Sequence, residues 1–166
     1  MTKKAENYFQ KLKRYLPIVK DPTVVILRGH LLIEELLDDL IAAILIEPMA
    51  IRDARLTFFQ KLCIARGILG HQDHMWKPIE ILNNLRNTIS HKLPDDMLSM
   101  KLDPVLRALF PYDYEEIPKD IYSKSKALRK GISFHCAELS GYVKSIKASS
   151  NPRLNLDRDL RGIPRP

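Results

Sequence analysis

The stretch from Asp21 to Pro48 constrains the fold more than any other part of this chain. Asp is a residue whose side-chain oxygen caps helices, and Pro22 suits the first helical position, where a fixed φ and a missing N–H do no harm. Apolar residues then recur every three or four positions, at Val24, Val25, Leu27, Leu31, Leu32, Leu36, Leu37, Leu40, Ile41 and Ile44. The spacing predicts a helix from Pro22 to about Ile46, stopped by Pro48. Such a helix is apolar on nearly every side and belongs at the centre of a core.

Prolines punctuate the rest of the chain in the same way. Tyr8, Phe9, Leu12, Tyr15 and Leu16 predict a helix over 4–16 that Pro17 ends. After a loop from Glu47 to Leu56, Thr57 caps a helix carrying Phe58, Phe59, Leu62, Ile64, Ala65 and Leu69, with Gly70 as its stop. Asp73 caps a helix to about Leu93, with Pro78 tolerated near its start. Residues 94–118 read as irregular, with room for a short helix from Pro104 to Phe110. A last long helix runs from about Lys119 to Lys147. No segment reads as a strand. The predicted fold class is therefore all-α, an antiparallel bundle of four to five helices.

Composition bounds the class. A chain of 166 residues is one ordinary domain, here residues 1–148, followed by a basic Pro/Arg-containing tail at 149–166. With 45% hydrophobic and 28% charged residues the chain reads as globular, and six glycines are few for a β sandwich or barrel. The longest apolar stretch, Leu36 to Ile46, is interrupted by Asp38 and Asp39 and is too short for a membrane span. No secretory signal follows the basic start, and Cys63 and Cys136 sit in apolar-periodic segments where buried free thiols are expected. These features fit a cytoplasmic protein without a membrane partner.

Charge is uneven. Residues 1–20 carry six Lys/Arg and one acid, residues 119–166 eleven and four, and residues 21–118 ten and fifteen. The net +7 thus lives at the two ends, where it can attract a polyanion such as RNA. The tail reads as an arm that is mobile or ordered only on a partner.

The chemistry concentrates in Asn83-Asn84-Leu85-Arg86-Asn87-Thr88-Ile89-Ser90-His91. Met75, Ile79, Leu82, Leu85, Ile89 and Leu93 form the apolar face of this helix; Asn83, Arg86, Asn87, Ser90 and His91 fall on the opposite arc. Asn83, Asn87 and His91 follow one another at i, i+4, i+8. A guanidinium clamps phosphate oxygens with paired donors, an imidazole moves protons near neutral pH, and amides orient either partner. Such a set suits metal-independent RNA cleavage, in which a base helps the ribose 2′-hydroxyl attack its own phosphate and Arg stabilises the developing charge.

Arg86-Asn87-Thr88-Ile89-Ser90-His91 resembles the Arg-x4-His motif of the HEPN superfamily, including the polar residue directly after Arg. Leu27-Arg28-Gly29-His30-Leu31-Leu32-Ile33-Glu34-Glu35-Leu36-Leu37 is similar to mannitol-repressor-like and other bacterial HEPN-type proteins. The resemblance covers about residues 20–145. It implies a HEPN-like bundle and a homodimer in which two motifs form one RNase cleft, with Arg86 and His91 as catalytic pair and Asn87 in support. It also implies RNA as substrate, a stress, defence or toxin–antitoxin setting, and an antitoxin or other protein partner. Leu93 stands where one toxin subfamily has Tyr, so modification there is not expected. The alternative within the same resemblance is a non-catalytic helical regulator acting through protein–protein contacts.

Arg28, His30 and Glu34 on the central helix are further supporting candidates beside Asn83 and Ser90, with His30 and Glu34 placed to pair at i, i+4. Trp76 is expected to pack rather than to stack a base. His71, Asp73 and His74 lack a fourth ligand, and the acids of the central helix lack the Glu-x-x-His partners of a di-iron bundle. No metal and no other cofactor is expected.

Overall fold

The computed structural model describes residues 8–70, 72–89, 95–110 and 117–149. Among them it contains seven helices and no strand: α1 (Tyr8–Tyr15), α2 (Pro22–Ile44), α3 (Pro48–Asp53), α4 (Phe58–Leu69), α5 (Asp73–Ile89), α6 (Asp95–Leu109) and α7 (Ile121–Ser149). The all-α class holds. The count exceeds the expected four to five because α3 forms within the stretch from Glu47 to Leu56 that reads as a loop, and because α6 is a full helix.

Helix ends follow local chemistry. Asp21 Oδ1 accepts the Thr23 N–H at 2.8 Å, which starts α2 behind Pro22. Thr57 and Gln60 form a reciprocal capping box at the start of α4. Gly70 ends α4 at φ 77, a left-handed conformation that suits glycine, with its N–H on the Arg66 carbonyl at 2.8 Å. At α5 the Gln72 carbonyl accepts from Met75 and Trp76, so Asp73 is the first helical residue rather than the cap. Asp120 Oδ1 accepts the Ser123 N–H at 2.8 Å and opens α7.

The long helix α2 is central, as its apolar pattern requires. It packs chiefly on α7, with α4 and α5 against its other sides, and α6 joins α5 to α7. Ile26, Ile33, Leu37 and Leu40 of α2 share one core with Leu62 of α4, Met75 and Leu82 of α5, Leu106 of α6, and Leu128 and Leu139 of α7. The two long helices approach closely at Gly29, where a Cβ would lie 2.8 Å from Ile132 Cδ1. Backbone carbonyls in and around the α1–α2 link are satisfied from α7, by Ser125 Oγ on Val19 O and Arg129 Nε on Leu16 O.

Two expectations are corrected. Residues 95–109 are helical through Pro104, not irregular. Leu98, Leu102, Val105, Leu106 and Leu109 bury one continuous face, which outweighs the single backbone bond that Pro104 forgoes on the outer side. Cys63 is exposed, because Leu62 and Ala65 take the inward positions of α4; Cys136 is buried as expected. Trp76 is packed in the core and its Nε1–H donates to the Gly70 carbonyl at 3.0 Å. No described helix is long and apolar enough to cross a membrane.

Candidate functional site

α5 changes character along its length. Its first three turns bury Met75, Trp76, Pro78, Ile79 and Leu82. Asn83 falls at i+4 from Ile79 and is buried as well, only 7% exposed. Arg86 is half-buried and Asn87 exposed. The i, i+4 line of Asn83 and Asn87 is therefore not one solvent-facing stripe. Asn83 meets His30 of α2 and shares a cavity with the first residues of α4, which Arg86 and Asn87 also border.

What receives Asn83 is His30 of α2. His30 Nε2 and Asn83 Oδ1 are 3.0 Å apart, and the imidazole stacks on Phe58 with ring centroids 4.1 Å apart at 26°. Burial lowers the His30 pKa from its ordinary value; the Asn83 hydrogen bond opposes this, the nearby Arg86 charge adds to it and Glu34 opposes it. The ring is neutral at pH 7, donates Nε2–H to Asn83 Oδ1, and so fixes which way the Asn83 amide faces.

The i, i+4 pair of His30 with Glu34 does not form. Glu34 turns instead to Lys61 of α4, at 2.9 Å, and Lys61 also reaches Asp38 at 2.9 Å. Burial pulls the Lys61 pKa down, but Asp38 and Glu34 hold its ammonium above the usual range. The carboxylate nearest the site is thereby paired, though it shares the one ammonium with Asp38.

These groups surround a cavity of about 300 Å³. His30, Glu34, Phe58 and Asn83 line its inner wall, while Thr57, Phe59, Arg86 and Asn87 complete its surround. Arg86 Nη1 donates to Asn87 Oδ1 at 3.3 Å, which orients the guanidinium along α5. A ligand entering here meets one guanidinium, amide donors and aromatic rings, with the carboxylate of Glu34 already held by Lys61. That chemistry suits a small anion with an apolar part.

The structure thus brings together five of the sequence candidates: His30, Glu34, Asn83, Arg86 and Asn87. Arg28 is not among them; it is exposed and borders a separate cavity with Arg14, Tyr15 and Leu31. Ser90 and His91 lie outside the described residues. Sequence reasoning missed Phe58, Phe59 and Lys61 as site residues. The available signal was the phase of α4: Phe58, Leu62 and Ala65 lie at i, i+4 and i+7 on one side, and Phe59 falls ~100° off that line. His71 lies outside the described residues, and His74 pairs with Glu138 at 3.1 Å. Among the described residues no group of three or more His, Cys, Asp or Glu is placed to hold a metal ion.

Comparison with protein-family models, with curated proteins and with solved structures found no match for the chain.

Proposed function

We propose that the chain is a metal-independent endoribonuclease of HEPN type, acting on RNA in a bacterial stress, defence or toxin–antitoxin setting. One observation carries this reading: Arg86, the Arg of the Arg-x4-His motif, lies on a small cavity beside amide donors, with its guanidinium oriented by the very next residue, Asn87. An RNA phosphate seated there has its charge matched by Arg86 and its oxygens met by the amides. The ribose 2′-oxygen attacks the adjacent phosphorus, its proton passes to a base, the P–O5′ bond breaks, and the leaving 5′-oxygen takes up a proton. His91 is the residue for proton transfer, since it follows Asn87 by four in the sequence. A homodimer pairing two such cavities across a two-fold axis doubles the donors around one strand.

The test is cleavage of RNA by the purified chain. His91→Ala is expected to slow it ~10²–10⁴-fold, the usual weight of general acid–base catalysis. Arg86→Lys keeps the charge but loses the planar fork, and is expected to be damaging. Products should carry a cyclic phosphate, and chelators should leave the rate unchanged. Cleavage that persists in both variants removes Arg86 and His91 from the reaction, and no cleavage of any RNA favours the non-catalytic regulator.

A further inference from the structure

The two phenylalanines that open α4 have opposite fates. Phe58 is 8% exposed and spends its ring on His30. Phe59, one residue on, is 51% exposed and lies at the same cavity as Arg86. A ring half in water beside a polar cavity is not explained by the core, which α4 already serves through Leu62 and Ala65. The cavity offers an aromatic face together with a guanidinium and the amides of Asn83 and Asn87. Cation and amides suit a phosphate, and an open π-face suits a planar base. A nucleotide carries both at a fixed separation.

We infer that Phe59 is the platform on which one unpaired base stacks while its phosphate rests on Arg86, so that the site selects single-stranded RNA over duplex. The inference rests on the proposed RNA-directed function and names its substrate class. Bases inside a duplex have both faces covered by their neighbours and present no ring to Phe59. At about 300 Å³ the cavity is also at the small end of ligand pockets, which run ~300–1,000 Å³, and suits one nucleotide unit rather than a helix.

The experiment uses the full chain and a fluorescein-labelled oligoribonucleotide with 2′-fluoro sugars, which lacks the attacking hydroxyl and stays intact. Three probes are compared at one low salt concentration: the single strand, its duplex, and an abasic strand with the same number of phosphates. Phe59→Ala is expected to weaken single-strand binding about 5- to 150-fold, the weight of one stacked base, and to leave the duplex and abasic strand unaffected. Phe59→Trp is expected to retain binding, with indole fluorescence at position 59 quenched by the single strand and not by the abasic one. Wild-type binding that Phe59→Ala leaves unchanged, or weakens equally for all three probes, overturns the stacking role while leaving the phosphate site standing. Failure of the wild-type chain to bind any of the probes overturns the RNA-directed function itself, and the platform with it. Because Phe59 is half in solvent, an unaltered circular dichroism melt is expected for both variants.

Discussion

Replacing Asn83 by leucine tests the buried His30–Asn83 bond without reference to any ligand. Both residues are nearly inaccessible, at 4% and 7% exposure, and their polar atoms lie 3.0 Å apart. Leucine puts methyl groups where the amide was, so water cannot take the amide's place. The His30 Nε2–H is left buried without an acceptor, which costs about 1–3 kcal/mol. For a chain of 150–250 residues each kcal/mol moves the midpoint by roughly 2–4 °C, so the melting temperature should fall by about 2–12 °C. His30→Leu alone removes the donor and orphans the Asn83 oxygen. The double variant orphans neither, so its loss should be smaller than the sum of the singles by about 0.5–3 kcal/mol, the range of coupling for residues in contact. Urea unfolding followed by circular dichroism measures all four corners. Asn87→Leu, one turn further on and exposed, should stay within about 0.5 kcal/mol of wild type. Additive singles, or equal losses at positions 83 and 87, would refute the buried pair and restore the picture of a uniform polar stripe.

Acid should weaken the fold through two histidines. Burial lowers both His30 and His135, so below the unfolded value of ~6.5 the unfolded chain binds protons that the folded chain refuses. Stability is then fully present above ~6.5 and falls with decreasing pH toward the folded pKa values, by up to about 1.4 kcal/mol per pH unit for each histidine. His135 is faced by Glu138 on its own helix, which raises its pKa, by His74 of α5, which lowers it, and by the Leu109 backbone of α6, which raises it. Urea midpoints between pH 7.5 and 5 should show a slope that His135→Leu flattens; an unchanged slope removes His135 from the account. Separately, Gly29→Ala should destabilise by about 1–3 kcal/mol despite alanine's better helix propensity, since its Cβ would meet Ile132 Cδ1 and Cγ2 at 2.8 and 2.9 Å. Ile132→Val in that background should recover part of the loss, and equal melting of wild type and Gly29→Ala would show that the α2–α7 approach is looser than the structure has it.

The fold was legible where local chemistry and hydrophobic period agreed. Asp21-Pro22, the Thr57–Gln60 box and Gly70 each mark a helix end that the backbone then adopts. At Pro104 the sequence suggests at most a short helix that starts there, whereas α6 begins nine residues earlier; the proline ring sits on the outer face, and the burial of Leu98, Leu102, Val105 and Leu106 decides the matter. Reading failed at Cys63, where average burial of cysteine is a weaker guide than the phase set by Leu62 and Ala65.

The site shows a different kind of failure. A helical wheel assigns Asn83 and Asn87 to one face, and in an isolated helix they would share it. What separates them is the neighbour across that face: His30 of α2, itself stacked on Phe58 at the start of α4, meets Asn83, while Asn87 stays in the open. No pattern within α5 encodes that neighbour. The same placement explains why Glu34 abandons His30: Lys61, one turn past the cap, offers a full opposite charge, against which a neutral imidazole cannot compete. The ring that follows the Thr57 cap thus lies on His30, His30 holds Asn83, and Arg86 borders the cavity that these residues line.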